Sequence, residues 1–237
     1  MTRLLVSARN LAEARLALEC GVDLIDLKEP TRGALGPVDA DEAARVVDFI
    51  AGRVPVSVAL GELADFIDGS NSNVGLAPSL AVSRRVEFAK LGLARCASRP
   101  DWPSEWRRWT ESLPTATSPV AVIYADGAAV DAPPAEAILE VAGAAKCRAV
   151  LVDTAIKDGR TLLDHWSLSK LRQFTARLRA IGAMSVVGGS LNIDTIPQVA
   201  ACGVDYIAVR GAVCEGPRTG TLCPMKLAAL RKLLRVD

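Results

Sequence analysis

Short runs of consecutive apolar residues, rich in Val, Ile and Leu, alternate with stretches of helical periodicity from one end of the chain to the other. The runs predict eight strands, over residues 4–8, 24–28, 54–60, 86–91, 120–125, 149–154, 185–189 and 206–210. Between them the pattern predicts helices that include residues 11–19, 40–50, 135–144, 168–181 and 193–201. Near-continuous apolar strands alternating with helices imply a parallel sheet with helices packed on it. Eight such units in 237 residues fit one closed (β/α)8 TIM barrel, a fold of about 250 residues, better than an open doubly wound sheet. No G-x-G-x-x-G follows the first strand, which argues against a dinucleotide site. The expectation is a single α/β catalytic domain over residues 1–237.

An internal echo supports repetition of one unit. Cys20-Gly21-Val22-Asp23-Leu24-Ile25-Asp26-Leu27-Lys28 resembles Cys202-Gly203-Val204-Asp205-Tyr206-Ile207-Ala208-Val209-Arg210. In both, a helix ends on a glycine suited to a left-handed cap, and a strand then runs to a cation. Two segments break the rhythm. Residues 61–79 (GELADFIDGSNSNVGLAPS) follow the third strand, where they form either a lid over the site or an ordinary surface loop. Trp102, Trp106 and Trp109 recur at helical spacing and predict one apolar face, packed on the barrel or on a neighbouring subunit of a homo-oligomer.

Composition narrows the function classes. The chain carries 28 Lys+Arg against 27 Asp+Glu, a balance that advertises neither a nucleic-acid nor a membrane-surface partner. Met1-Thr2-Arg3 leads directly into a strand with no signal-peptide pattern, and no apolar run approaches the ~18 residues of a membrane span, so a cytoplasmic protein is expected. Cys20, Cys96, Cys147, Cys202, Cys214 and Cys223 form no C-x-x-C pair, and His165 is the sole histidine. The cysteines read as small hydrophobes in a reducing compartment, and neither a metal nor a cofactor is expected.

Barrel enzymes carry their reactive groups at the C-terminal strand ends. Followed to their ends, the even-numbered strands give Lys28, Lys90, Asp153 and Arg210. Asp26 shares the face of Lys28 by the period of two, and Lys157 opens a polar loop four residues past Asp153. Charges in apolar strands are costly unless paired or used, so a ring of them points to a functional site. A lysine there offers amine chemistry. At its ordinary pKa only about one lysine in a thousand is neutral near pH 7, but desolvation and neighbouring cations such as Lys90 and Arg210 favour the neutral form of Lys28. Asp26 or Asp153 could then move protons as a carbinolamine becomes an imine. The competing structural reading of Lys28 is a salt bridge to one of these aspartates.

Loops after strands seven and eight often hold phosphate in this fold. Here they read Gly188-Gly189-Ser190 and Arg210-Gly211-Ala212, with a helix expected to start near Leu191. Their glycines would let backbone N–H groups approach an anion, which makes a small phosphorylated molecule the expected substrate, with Arg32 the next candidate ligand after Arg210.

Several segments together resemble one family. Leu5-Val6-Ser7, the stretch Ile25-Asp26-Leu27-Lys28-Glu29-Pro30 with Gly33-Ala34-Leu35-Gly36, Phe88-Ala89-Lys90-Leu91-Gly92, Val152-Asp153-Thr154-Ala155-Ile156-Lys157-Asp158-Gly159 and Val209-Arg210-Gly211-Ala212 are similar to (5-formylfuran-3-yl)methyl phosphate synthase. This is the 4-(hydroxymethyl)-2-furancarboxaldehyde-phosphate synthase of methanofuran biosynthesis. The resemblance runs over nearly the whole chain, and residues 94–118 carry little of it. It implies a lyase that joins two molecules of glyceraldehyde 3-phosphate into a furan with loss of phosphate and water, by chemistry like that of class I aldolases and without metal. It places the Schiff base on Lys28 and the proton acceptor on Lys90, with Asp26, Asp153 and Lys157 in supporting roles. The loop Glu29-Pro30-Thr31-Arg32-Gly33-Ala34 departs from the Asn-Pro and Glu-Gly-Ser of archaeal members; it adds Arg32 beside the site and resembles bacterial, methylotroph-type members of a one-carbon pathway. Two other readings suit the residues: a different class I aldolase acting on a sugar phosphate, and a non-catalytic barrel that binds phosphorylated metabolites.

Overall fold

Alternate residues of each strand enter two different cores, and this alternation builds the molecule. The structure is a computed structural model that describes residues 1–69 and 86–235. Strands β1 (Arg3–Ala8), β2 (Leu24–Leu27), β3 (Val56–Glu62), β4 (Phe88–Gly92), β5 (Ser118–Tyr124), β6 (Ala149–Asp153), β7 (Met184–Val187) and β8 (Tyr206–Val209) pair in parallel and in chain order. The ring closes where Leu5 and Val6 of β1 meet Ala208 and Val209 of β8. Outside it lie α1 (Leu11–Glu19), α2 (Ala40–Ile50), α3 (Leu63–Ile67), α4 (Trp102–Ser112), α5 (Ala135–Ala144), α6 (Leu168–Ala180), α7 (Thr195–Ala200) and α8 (Pro224–Leu234).

One set of strand residues, among them Val6, Ile25, Val58, Leu91, Ile123, Val152 and Ile207, packs outward against the helices. The other set, including Leu5, Leu24, Phe88, Val120, Leu151, Val186 and Tyr206, fills the barrel interior. The strands therefore read as unbroken apolar runs because both faces are buried. The helix ends follow from local chemistry. Asn10 and Ser167 cap α1 and α6 by accepting from the backbone N–H groups of Glu13 and Lys170. Gly21 and Gly203 stand in the same left-handed conformation, at φ +69° and +74°, so the internal echo marks two equivalent turns into a strand.

Two boundaries differ from the sequence reading. Gly61 and Glu62 prolong β3, and α3 follows at once, so the start of the 61–79 segment is regular structure; residues 70–79 lie outside the described residues. The helix expected from residue 193 begins at Thr195, and no helix starts at Leu191. The tryptophan face packs on the barrel, the first of the two expected alternatives: Trp102, Trp106 and Trp109 are all buried among residues of the outer core. Among the described residues no helix is long and apolar enough to cross a membrane.

Trp106 and Trp109 meet in a tilted contact, 6.0 Å between ring centroids and 52° between ring planes, with Trp106 only 1% exposed. Removing an aromatic ring from such a position forfeits transfer energy and leaves a cavity. Trp106→Ala should therefore lower stability by about 3–5 kcal/mol in urea unfolding. A loss below about 1 kcal/mol would mean that this helix is not part of the core.

Candidate active site at the mouth of the barrel

The interior changes character along its length. On β2 the inward side chains run Leu24, Asp26, Lys28; on β4 they run Phe88, Lys90; on β6 they run Ala149, Leu151, Asp153. The barrel is thus apolar at its N-terminal end and charged at its C-terminal end. There a cavity of about 310 Å³ opens, lined by Asp26, Lys28, Lys90, Asp153 and Lys157 together with the β7 and β8 loops. Its size lies near the lower end of small-molecule sites, roughly 300–1,000 Å³.

Two carboxylates serve three lysines in this space. Lys90 Nζ lies 2.7 Å from Asp26 Oδ1, a contact of charge more than of directed hydrogen bonding, while Ser7 Oγ donates to Asp26 Oδ2 at 3.2 Å. Lys157 Nζ donates to Asp153 Oδ1 at 2.7 Å and to Thr154 Oγ1 at 3.1 Å. Lys28 is left over. Its nearest carboxylate oxygen is Asp153 Oδ2 at 4.0 Å, beyond hydrogen-bond reach, and its side chain is only 10% exposed. Burial pushes the Lys28 amine down to about 8; Asp153 and Asp26 oppose that, and Lys90 and Lys157 reinforce it. Burial raises the Asp153 carboxyl, but Lys157, Lys28 and the hydrogen bonds from Lys157 and the Thr154 N–H outweigh it and hold the group below its usual range.

Neighbouring loops fix these groups. Asp126, buried at the end of the β5 turn, accepts from the N–H groups of Ala155 and Ile156 at 2.7 and 2.8 Å, which holds the chain that carries Lys157. After β7 the backbone turns sharply through Gly189 and Ser190, both at positive φ, beside the cavity. Gly188 sits with Asp153 behind it: a Cβ there would come 3.5 Å from the carboxyl carbon. Gly211 and Ala212, on the loop of the neighbouring strand β8, also line the cavity. Asp126 escaped the sequence reading because a carboxylate that caps loop amides leaves no periodic signature.

Arg210 has a different task from the one its position suggests. Its guanidinium forms a bidentate pair with buried Glu13 at 2.7 and 3.1 Å and also donates to the carbonyl oxygens of Ser7, Arg218 and Gly220. All its donors are spent on protein, so the side chain expected to hold phosphate is a clamp across the β8–β1 seam. Arg32 also points elsewhere: it is exposed and donates to Pro37 O and Asp39 Oδ1, and it does not line the cavity.

The comparisons with known proteins bear directly on this site. The family model described as 4-HFC-P synthase matches residues 4–231. The chain belongs to that family. It is 33% identical over 219 residues to the (5-formylfuran-3-yl)methyl phosphate synthase of Methanococcus maripaludis, covering 91% of each chain. It is 32% identical to a putative (5-formylfuran-3-yl)methyl phosphate synthase of Methylorubrum extorquens, covering 90% of this chain and 83% of that one. Solved structures share the fold alone. Phosphoribosyl anthranilate isomerase from Thermus thermophilus superposes with a TM-score of 0.62 at 16% identity over 98% of both chains. KGPDC from Streptococcus mutans gives 0.63 at 12% identity over 99% of this chain and 98% of its own. Members of the 4-HFC-P synthase family are named as synthases, so this chain belongs among enzymes.

Another acid of this family member is half-buried at the C-terminal end of the barrel. Glu62, at the end of β3, accepts from the Tyr124 hydroxyl at 2.5 Å and from the Ala94 N–H at 2.9 Å. The pair fills the space over Gly92, where a Cβ would come within 2.1 Å of Glu62 Oε2 and 2.3 Å of the Tyr124 oxygen. Burial pushes the Glu62 carboxyl up to about 7, against the hydrogen bonds from Tyr124 and Ala94. Burial likewise raises the Tyr124 phenol, and Glu62 adds to that. Glu62 fell inside the segment read as a loop, so its place in a strand was not visible.

Two measurements follow from these groups. Arg210→Ala breaks a buried bidentate pair and leaves Glu13 with Arg9 alone, at 3.3 Å, which costs up to about 3–5 kcal/mol of stability; a variant that unfolds like the wild type and only binds substrate more weakly would return Arg210 to the ligand role. For Glu62, protonation is favoured by folding, so its contribution is fully present below pH 4.5 and is lost as the pH rises to about 7. Relative to Glu62→Gln, the wild type should lose about 3 kcal/mol between pH 4.5 and 7.5 in urea unfolding. Parallel pH profiles for the two proteins would show that Glu62 does not titrate there.

Proposed function

We propose that this enzyme condenses two molecules of glyceraldehyde 3-phosphate into (5-formylfuran-3-yl)methyl phosphate through an imine on Lys28, with loss of phosphate and water, in the biosynthesis of a methanofuran-type one-carbon cofactor. The names of its relatives support the product. The observation that carries the mechanism is the inequality among the three lysines: Lys90 and Lys157 each hold a carboxylate at 2.7 Å, whereas Lys28 is buried with no hydrogen bond to its amine among the described residues. With its pKa near 8, about a tenth of Lys28 is neutral at pH 7, a few hundred times the fraction of an ordinary lysine (roughly 200- to 300-fold).

The neutral amine attacks the aldehyde carbon, and the carbinolamine loses water to give the imine. Lys157 and Asp153, joined by a hydrogen bond and adjoining Lys28, supply and take the protons of that dehydration. The imine acidifies the neighbouring carbon. In its neutral form Lys90, held against Asp26, removes the carbon-bound proton, and the resulting enamine expels phosphate or attacks the second aldehyde. The backbone of Gly189, Ser190, Gly211 and Ala212, which line the cavity, receives a phosphoryl group; the N–H of Gly188, also expected there, is already spent on Val152 O. These loops lack the helix dipole expected from Leu191.

Borohydride added with glyceraldehyde 3-phosphate should leave a stable adduct on the peptide that contains Lys28, and none on Lys28→Ala. Lys90→Ala should still be trapped but turn over about 10²–10⁴-fold more slowly, the usual contribution of a positioned base. The trapping rate of the wild type should rise about tenfold per pH unit below 8 and level off above it, because deprotonation creates the nucleophile. In steady state a furan chromophore and free phosphate should appear together. Retro-aldol products would indicate a different aldolase, and binding without turnover would indicate a non-catalytic barrel; an adduct found only on Lys90 or Lys157 would reverse the roles of the amines.

A further inference from the structure

We propose that Arg218 is the side chain that binds the substrate phosphoryl group, an assignment that rests on the phosphorylated substrate proposed above and deepens it. Five basic residues line the cavity, namely Lys28, Lys90, Lys157, Arg210 and Arg218. The first four each have a carboxylate within 4.0 Å: Asp153, Asp26, Asp153 again and Glu13. Arg218 has none among the described residues. Its guanidinium donates to Pro30 O at 2.8 Å and to Gly33 O at 3.3 Å, which leaves three of its five N–H groups without a partner among the described residues. Carbonyl oxygens satisfy direction but not charge, so a half-buried guanidinium on two carbonyls remains an uncompensated cation. Burial accordingly pushes its pKa below the ordinary arginine value. An anion entering the cavity removes that deficit, and the planar guanidinium matches a phosphate oxygen pair.

Its surroundings are built to hold it there. Arg210 Nε donates to Arg218 O at 2.7 Å, and Arg210 Nη2 donates to Gly220 O at 2.9 Å, so the Glu13–Arg210 clamp fixes the backbone on which Arg218 stands. Arg218 lies over Gly211: a Cβ on that glycine would come 3.6 Å from Arg218 Cβ. The backbone of the β8 loop and the guanidinium thus face the same end of the cavity. The contacts to Pro30 and Gly33 fasten the β8 loop to the loop that follows Lys28, so a phosphoryl group held by Arg218 places the attached carbon chain between these loops, within the cavity that contains the Lys28 amine. Arg210 is then a positioning residue for the anion and Arg218 its ligand.

The test uses inorganic phosphate and two aldehydes on the full chain. Phosphate titrated calorimetrically should bind the wild type, and Arg218→Gln should weaken that binding about 10- to 100-fold, the usual range for one charge-assisted contact. Arg218→Lys, which keeps the charge and the backbone clamp but not the planar guanidinium, should fall between them. Borohydride trapping supplies a readout that a purely structural role would not move. The preference for glyceraldehyde 3-phosphate over unphosphorylated glyceraldehyde should drop 10- to 100-fold in Arg218→Gln, with glyceraldehyde itself trapped on Lys28 as in the wild type. Unchanged phosphate affinity and unchanged preference in both variants would overturn the assignment and leave the phosphorylated substrate standing. A wild type that binds no phosphate and does not discriminate between the aldehydes would overturn both.

Discussion

Three ammonium groups and two carboxylates meet inside a space largely closed to water, and the fit between them cannot be even. A buried lysine must find an anion or give up its proton, because the protein interior solvates a charge poorly. Asp26 satisfies Lys90 and Asp153 satisfies Lys157, each at 2.7 Å, and the shortfall falls on Lys28. The ring of parallel strands sets most of this count. Side chains enter the interior only at every second residue, which brings Asp26, Lys28, Lys90 and Asp153 to the mouth, and the loop after β6 adds Lys157. Reactivity here is what remains after the carboxylates have been shared out.

The apolar lower half of the barrel makes that shortage consequential. Leu24, Phe88, Leu151 and Tyr206 fill the interior beneath the charges and deny them water from below. Tightness above comes from polar parts that carry no substrate in this reading: Asp126 tethers the amides of Ala155 and Ile156, and the Glu62–Tyr124 pair occupies the gap over Gly92. An acid near neutrality and a base near 8 stand at the same end of one barrel because the same desolvation raises a carboxyl and lowers an amine.

What the sequence discloses about such a site depends on regularity. Lys28, Lys90, Asp26 and Asp153 lie within strands or one step beyond them, where the period of two settles which way a side chain faces, and all four reach the cavity. Arg210 occupies the first position after β8, where φ −137° and ψ −63° leave the strand conformation, and parity ceases to aim the side chain. It turns to Glu13 instead. Arg218, Asp126 and the turn through Ser190 belong to irregular backbone, for which neither hydrophobic period nor spacing supplies an orientation. Lys157 was found through its loop motif, not by periodicity, and the structure brings it onto Asp153. The tryptophans were legible as a face, but what the face meets is a tertiary matter, and it meets the outer core.

The clamp between Glu13 and Arg210 joins residues 197 positions apart and lies on the seam where the last strand meets the first. On a ribosome every lysine of the cavity has been made once residue 157 emerges, yet the ring cannot shut until β8 follows. The guanidinium that seals the seam also carries the loop that bears Arg218. A nascent chain therefore acquires its amines long before the arginine loop that completes their cavity, and the enclosure that depresses Lys28 arrives with the final quarter-turn of the barrel.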